Sequence, residues 1–225
     1  MEKSIKIDIN ELTEVGLFFG HRKSATHPKM KPYISGEKNT VHVIDMEKTA
    51  ECLKKALEEI KKLSAEKKIL LLVGTKMQAK DLVKETAEEC NLPYVNERWL
   101  GGTITNFSVI KKRVEYYKEL EKKRESGELE KYTKKERLEI DREIERLRIK
   151  FEGIKNLERT PDALFVLDIR KDITAIREAK RKGIIIFSLV DTNDDPSLVD
   201  YPIPANNDAI SSIKYILGKL KEAVL

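Results

Sequence analysis

Two cysteines stand in 225 residues, Cys52 and Cys90, each in a helix-like context with no second Cys or His at ligand spacing. That scarcity excludes a disulfide framework and a structural zinc site, and it fits a reducing compartment. Long apolar runs are missing too, so no segment is expected to cross a bilayer. The opening MEKSIKIDIN carries acids and no apolar core of signal-peptide length, from which a soluble, cytoplasmic protein that is not secreted is expected. No Gly-x-Gly-x-x-Gly or P-loop follows an apolar run, and VGTKMQ (residues 73–78) offers one Gly and one Lys as a phosphate cradle. His21, His27 and His42 are scattered, without a His-Glu-x-x-His spacing, and no Ser sits in a nucleophile elbow. These absences argue against dinucleotide, metalloprotease and hydrolase chemistry, so neither an enzymatic activity nor a cofactor is expected. Charge of one sign is not in large excess: 44 Lys or Arg against 39 Asp or Glu leave a net +5. Yet charged residues make up 37% of the chain, well above the roughly 25% of an average soluble protein. Such a balance permits a nucleic-acid partner without requiring one.

The single tryptophan, Trp99, lies in the run NERWLGGTITNF (residues 96–107), about which the rest of the chain can be placed. Arg98 precedes it, Gly101 and Gly102 free the backbone, and Thr103, Thr105 and Asn106 offer short hydrogen-bonding side chains. The run is a poor helix and reads as a structured loop between a short strand at 94–95 and a long charged helix. Two readings of it stand side by side: a Gly turn over a packed Trp, or a binding loop in which Trp99 anchors and Arg98 faces outward.

Apolar runs at 41–45, 69–73, 94–95, 163–168 and 184–191 read as five strands. Helical patterns at 46–64, 78–90 and 172–181, with a last helix capped by Asn207 or Asp208, alternate with them. That alternation calls for a parallel sheet with helices on both faces, an α/β/α three-layer sandwich. Pro202 and Pro204 keep Ile203 extended within a closing segment otherwise rich in turn residues. Between residues 18 and 40 no period is sustained. This stretch reads as an irregular arm whose cations Arg22, Lys23, Lys29, Lys31 and Lys38, with Tyr33 among them, suit phosphates and unstacked bases.

After Phe107 the apolar spacing changes to threes and fours: Phe107, Ile110, Val114 and Tyr117, then Ile140, Ile144, Leu147 and Phe151. Gly127 breaks the first of these helices, and Thr133 with Glu136 forms a capping box for the second. The expectation is an antiparallel coiled-coil hairpin at residues 107–153, inserted into a sheet domain made of 1–106 and 154–225. Its fifteen Lys or Arg against twelve acids read as a solvated strut or protein contact, although Lys111, Lys112, Arg113, Lys134 and Lys135 could meet phosphates.

Three strands end in Asp, so Asp45, Asp168 and Asp191 are expected along the carboxyl edge of the sheet, where open α/β folds bind ligands. Carboxylates suit Mg²⁺. The same residue between strand and helix is also a common N-cap, and no metal is expected. Three hypotheses remain: a structural RNA-binding protein, a flavodoxin-like phosphoryl- or metal-binding regulator, and a coiled-coil adaptor.

RWLGGT followed by an apolar residue and TNF closely resembles the signature of the bacterial-type small-subunit ribosomal protein two family. GHRKSATHPKMKPYI (20–34), VHVIDMEKT (41–49), VGTKMQA (73–79), PDALFVLDIRK (161–171) and VDTNDDPSLVDYPIPANNDAI (190–210) resemble further blocks of that family in order. The resemblance implies a flavodoxin-like strand order and a structural, non-catalytic role in translation. It implies binding to small-subunit rRNA at the junction of head and body, beside other small-subunit proteins, and recruitment of the large mRNA-binding ribosomal protein number one. The chain departs from the family at Phe18, where His is common. It departs again at Ser24, Ala25 and Thr26, where a basic pair and Trp are common, and at Asp194, where Cys is frequent. Lacking an Arg- and Ser-rich, acid-poor leader, it is expected in bacterial cytoplasm rather than as an imported organellar protein.

Overall fold

A computed structural model describes residues 7–225; Met1 to Lys6, part of the opening read above for a leader, lie outside them. Two sheets form. The first joins β1 (Phe19–Arg22), β2 (Ile34–Lys38) and β3 (Val41–Ile44) in the antiparallel order β1-β3-β2. The second joins β4 (Leu70–Val73), β5 (Tyr94–Val95), β6 (Ala163–Val166), β7 (Ile185–Val190) and β8 (Tyr201–Pro204) in the all-parallel order β5-β4-β6-β7-β8. Numbered within the sheet this is the flavodoxin-like order 2-1-3-4-5.

The five strands are not the five read from the sequence. Residues 41–44 leave the parallel sheet and pair with the arm, because Asn39 and Thr40 take φ of 52° and 66° and turn β2 straight back into β3. Two successive positive φ values make the primed hairpin turn that suits strand twist. The arm is therefore not irregular: β1 and β2 flank short 3-10 turns at Lys23–Ala25 and Pro28–Tyr33. The fifth parallel strand is Tyr201–Pro204, at the sheet edge. Ala205 N donates to Val190 O at 3.1 Å, so odd-numbered residues face β7. Pro202 and Pro204 turn their donor-less nitrogens to the open side, the one place a strand tolerates them.

Side chains of the parallel strands alternate between two buried layers. Leu70, Leu72, Phe165, Phe187, Leu189 and Ile203 pack under α1 (Ile9–Glu14), α2 (Met46–Ala65), α3 (Lys80–Glu89) and α7 (Ile210–Val224). Leu71, Val73, Leu164, Val166 and Ile186 pack against α6 (Ile173–Lys182) and the base of a helical hairpin formed by α4 (Phe107–Glu125) and α5 (Lys134–Phe151). Burial on both faces explains why these strands read as continuous apolar runs. The last helix starts at Ile210 with Ala209 at its N-cap and no side-chain capping bond, so neither Asn207 nor Asp208 caps it; Asn206 instead closes the turn before it by accepting from Asp208 N and Ala209 N at 2.7 and 3.0 Å. None of the described helices is long and apolar enough to cross a membrane.

The hairpin has the sequence features that its ends require. Gly127 adopts φ +76°, and Thr133 and Glu136 exchange both bonds of a capping box. Its seam residues Val114, Tyr117, Leu120, Ile144 and Leu147 are buried, while Ile110, Phe151 and Ile154 join the layer beneath the sheet. Gly153 lies so close to Tyr94 that a Cβ there would stand 2.2 Å from the Tyr94 carbonyl oxygen. Replacing residues 111–150 by a short Gly-rich linker is expected to leave a sheet domain that melts cooperatively. Closing a loop whose ends are already adjacent costs on the order of 1 kcal/mol, and a broad, non-cooperative melt would refute this division.

Candidate nucleic-acid interface

The Trp loop is folded around one carboxylate. Glu178 of α6 is 5% exposed and accepts from Trp99 Nε1 at 3.1 Å and Gly102 N at 2.8 Å on one oxygen. Its other oxygen accepts from Ile104 N, Thr105 N and Thr105 Oγ1, each at 3.0 Å. Burial alone would raise its pKa, but the backbone N–H groups of Thr105 and Gly102 and the Trp99 indole hold it below the usual carboxylate range. The sequence reading passed over Glu178. Its signal was phase, since it falls among Ala175, Ile176 and Ala179 on the buried side of its helix.

The loop's members divide by depth. Trp99 is 8% exposed and Thr103 is buried, its hydroxyl donating to Leu100 O at 2.7 Å. Gly102 takes φ +93°, and a Cβ there would meet Asn106 at 3.2 Å, whereas Gly101 has open space around it. Asn106 precedes α4 without a side-chain capping bond. Arg98 is exposed and has no carboxylate in salt-bridge range among the described residues.

The arm's cations divide by partner. Lys29 bonds Asp195 at 3.0 Å and Ser197 at 2.6 Å, and Lys23 pairs with Glu37 at 3.1 Å. Arg22, Lys31 and Lys38 are exposed and make no ion pair among the described residues. Tyr33 is half-buried against the hairpin-side core, so its ring is not open on both faces. On the hairpin, Lys111, Lys112 and Arg113 sit exposed near the base, while Lys134 and Lys135 open α5 at the far end, roughly 20 Å away by helix rise. Between residues 122 and 137 stand seven Lys or Arg and four acids. The hairpin's whole basic excess therefore lies at its tip, where Lys122, Lys123 and Arg124 join the two lysines read from the sequence.

The strand-end carboxylates do not converge. Asp45 lies at the end of β3, outside the parallel sheet, and caps α2 by accepting from Glu47 N and Lys48 N at 3.1 and 3.3 Å. Asp168 pairs with Lys76 at 3.0 Å, and the same ammonium reaches Asp208 at 2.6 Å. Asp191 meets His21 instead: Nδ1 lies 3.1 Å from Asp191 and Nε2 3.4 Å from Asp208. The hydrogen bond to Asp191 raises the His21 pKa against the effect of burial. Ligand atoms of His21, Asp191 and Asp208 lie within 4.8 Å of one another, a nitrogen and oxygen set that suits a divalent cation. It is a different set from the three aspartates expected.

Removing the carboxylate at the centre of the loop leaves five donors without it, so Glu178→Ala is expected to destabilise the protein by roughly 3 to 5 kcal/mol. Trp99→Ala is expected to cost about the same through the cavity it opens, and Arg98→Ala less than about 0.5 kcal/mol. Gly102→Val should melt early because of its positive φ, and Gly101→Val should not. Thermal melts of the five variants test this ordering, and an early-melting Arg98→Ala would reverse the assignment. A second expectation concerns Asp172, which is 2% exposed and accepts from Thr75 Oγ1 at 2.8 Å and Thr75 N at 3.3 Å. Burial pushes its pKa up to about 6 from 3.8. A raised folded-state pKa gives stability that is present below the unfolded value and lost as pH rises through the folded one. The melting temperature of the wild type should therefore gain on that of Asp172→Asn as pH falls from 7 to 4, and a constant gap would refute the assignment.

Comparison with known proteins agrees with this architecture. The family model described as Ribosomal protein S2 matches residues 12–225. The small ribosomal subunit protein uS2 of Coprothermobacter proteolyticus is 46% identical over 219 residues, 97% of this chain and 82% of the relative. Protein uS2c of Emiliania huxleyi is 46% identical over 219 residues, 97% and 96% of the two chains. Protein uS2 of Dictyoglomus thermophilum is 44% identical over 217 residues, 96% and 88%. The match spans both sheets, the Trp loop and the hairpin, and the chain belongs to the ribosomal protein S2 family.

Proposed function

We infer that this chain is an rRNA-binding constituent of the small ribosomal subunit, seated where head and body meet. Family membership makes it a structural, non-enzymatic protein of that subunit, acting in translation. The observation that carries the RNA contact is the division of its cations. Arg22 and Lys38 on the small sheet, Lys31 on the 3-10 turn between its strands, Arg98 on the braced loop and the hairpin-tip lysines are exposed and make no ion pair among the described residues. Lys23 and Lys29 are engaged by Glu37 and Asp195. Exposed cations on well-packed elements can reach phosphates without first breaking a salt bridge. Lys111, Lys112 and Arg113 extend the same surface at the hairpin base. Recruitment of the large mRNA-binding ribosomal protein number one belongs to the same reading and is supported by membership in the family.

Sucrose-gradient sedimentation of cell lysate tests the whole reading: the protein should travel with small subunits and leave them at high salt. Charge reversal of Arg22, Lys31 and Lys38 together should weaken incorporation and flatten its salt dependence, because each lost phosphate contact releases fewer counterions. Their exposure predicts an unchanged melting temperature. An unaltered salt slope would move the contact to the hairpin tip.

A further inference from the structure

At the carboxyl ends of β5, β4 and β6 lies an open polar cleft of about 560 Å³ that the strand-end aspartates do not form. Thr75 follows β4, Glu97, Arg98 and Trp99 follow β5, and Lys171, Asp172 and Thr174 follow β6. β4 lies between β5 and β6, so the chain runs from β4 to β5 in one direction and from β5 back past β4 to β6 in the other, and the cleft opens where the strand order reverses. In doubly wound sheets that crevice is where chain topology leaves room for a ligand.

The lining suits one chemistry. Lys80, Arg98 and Lys171 bring three cations to the rim. Lys80 is held by Glu97 at 2.7 Å, while Arg98 and Lys171 have no carboxylate in salt-bridge range among the described residues. A guanidinium offers a fork that fits two phosphate oxygens. Met77, beside them, is 80% exposed, the most exposed large apolar side chain of the described residues. A thioether next to cations offers a base a polarizable surface. The one carboxylate on the floor, Asp172, is turned toward Thr75 and accepts both its N–H and its hydroxyl. The wall that carries Arg98 is held by the Glu178 bonds to Trp99 and Gly102, so the cation is presented by a preorganised loop.

We propose that this cleft binds one nucleotide unit, its phosphate on Arg98 and Lys171 and its base against Met77. The phosphate can belong to a strand of RNA or to a free nucleotide; the RNA case rests on the rRNA-binding reading, and the free-nucleotide case does not. Trp99 lines the cleft and is the only tryptophan, so its emission reports on this site in the full-length protein. At low salt it should change saturably with AMP, or with a short single-stranded oligoribonucleotide lacking terminal phosphates, and not with adenosine. A response to AMP alone assigns the free nucleotide, and a response to the oligonucleotide assigns the strand.

Arg98→Gln and Lys171→Gln are both exposed substitutions and should melt as the wild type does. Each should weaken binding about tenfold, the scale of one hydrogen bond to a charged group. For the oligonucleotide the salt slope should fall by about 0.7 per lost contact. No saturable change with AMP or oligonucleotide, wild-type affinity in both variants, or an equal response to adenosine would overturn the proposal. Gradient sedimentation of the same variants keeps the two readings apart. A failed titration with normal incorporation removes the cleft alone, and a wild type that does not travel with small subunits removes the ribosomal reading while the AMP titration stands.

Discussion

The buried carboxylate of Glu178 is the constraint on which the functional surface depends. Five donors from four residues of the Trp loop, Trp99, Gly102, Ile104 and Thr105, converge on its two oxygens, and a buried carboxylate is tolerable only when it is satisfied in this way. The bonds fix three elements at once. They tie α6 to the loop, set the direction in which α4 leaves it, and leave Arg98 as the loop's outward group. A neutral residue at 178 would leave an ordinary apolar helix face and a loop with five unsatisfied donors.

A second junction sets the small sheet against the large one. Gly20 approaches Thr192 so closely that a Cβ would lie 2.5 Å from the threonine methyl. His21 N donates to Thr192 Oγ1 at 2.8 Å, and His27 N donates to Thr192 O at 2.9 Å. Lys29 adds its bonds to Asp195 and Ser197. The arm is thus fastened to the loop after β7 by backbone groups and one committed cation. Its remaining cations stand on paired strands or the 3-10 turns between them and not on a free tail, so less conformational entropy is lost when they meet a partner. This distinguishes the arm from the basic tail its composition suggests.

Some features were legible because a local rule governs them. The Thr133–Glu136 capping box and the left-handed Gly127 follow from residue chemistry within one turn. Burial on both faces accounts for the apolar runs at β4, β6 and β7. Other features escaped because partners distant in sequence decide them. Residues 41–44 look like any short buried strand, and only the turn at Asn39 and Thr40 sends them to the arm. Residues 201–204 look like a Pro-rich loop, and an edge position makes them a strand. Asp45 reads like Asp168 and Asp191 in a one-dimensional pattern, but its strand belongs to another sheet.

The sequence by itself determined the α/β class, the helical hairpin and the loop that carries Trp99, because periodicity, glycine and capping chemistry act over a few residues. It also carried the family signature, spread over blocks from Gly20 to Ile210. Only the tertiary structure decided which charges are free. Lys23 and Lys29 look no different in sequence from Arg22 and Lys31, yet Glu37 and Asp195 engage the first two. It likewise brought Glu178 under a loop more than seventy residues away, and Lys171 beside Arg98 in one cleft. Such pairings depend on crossovers of the sheet, which bring distant residues together with no trace in local spacing.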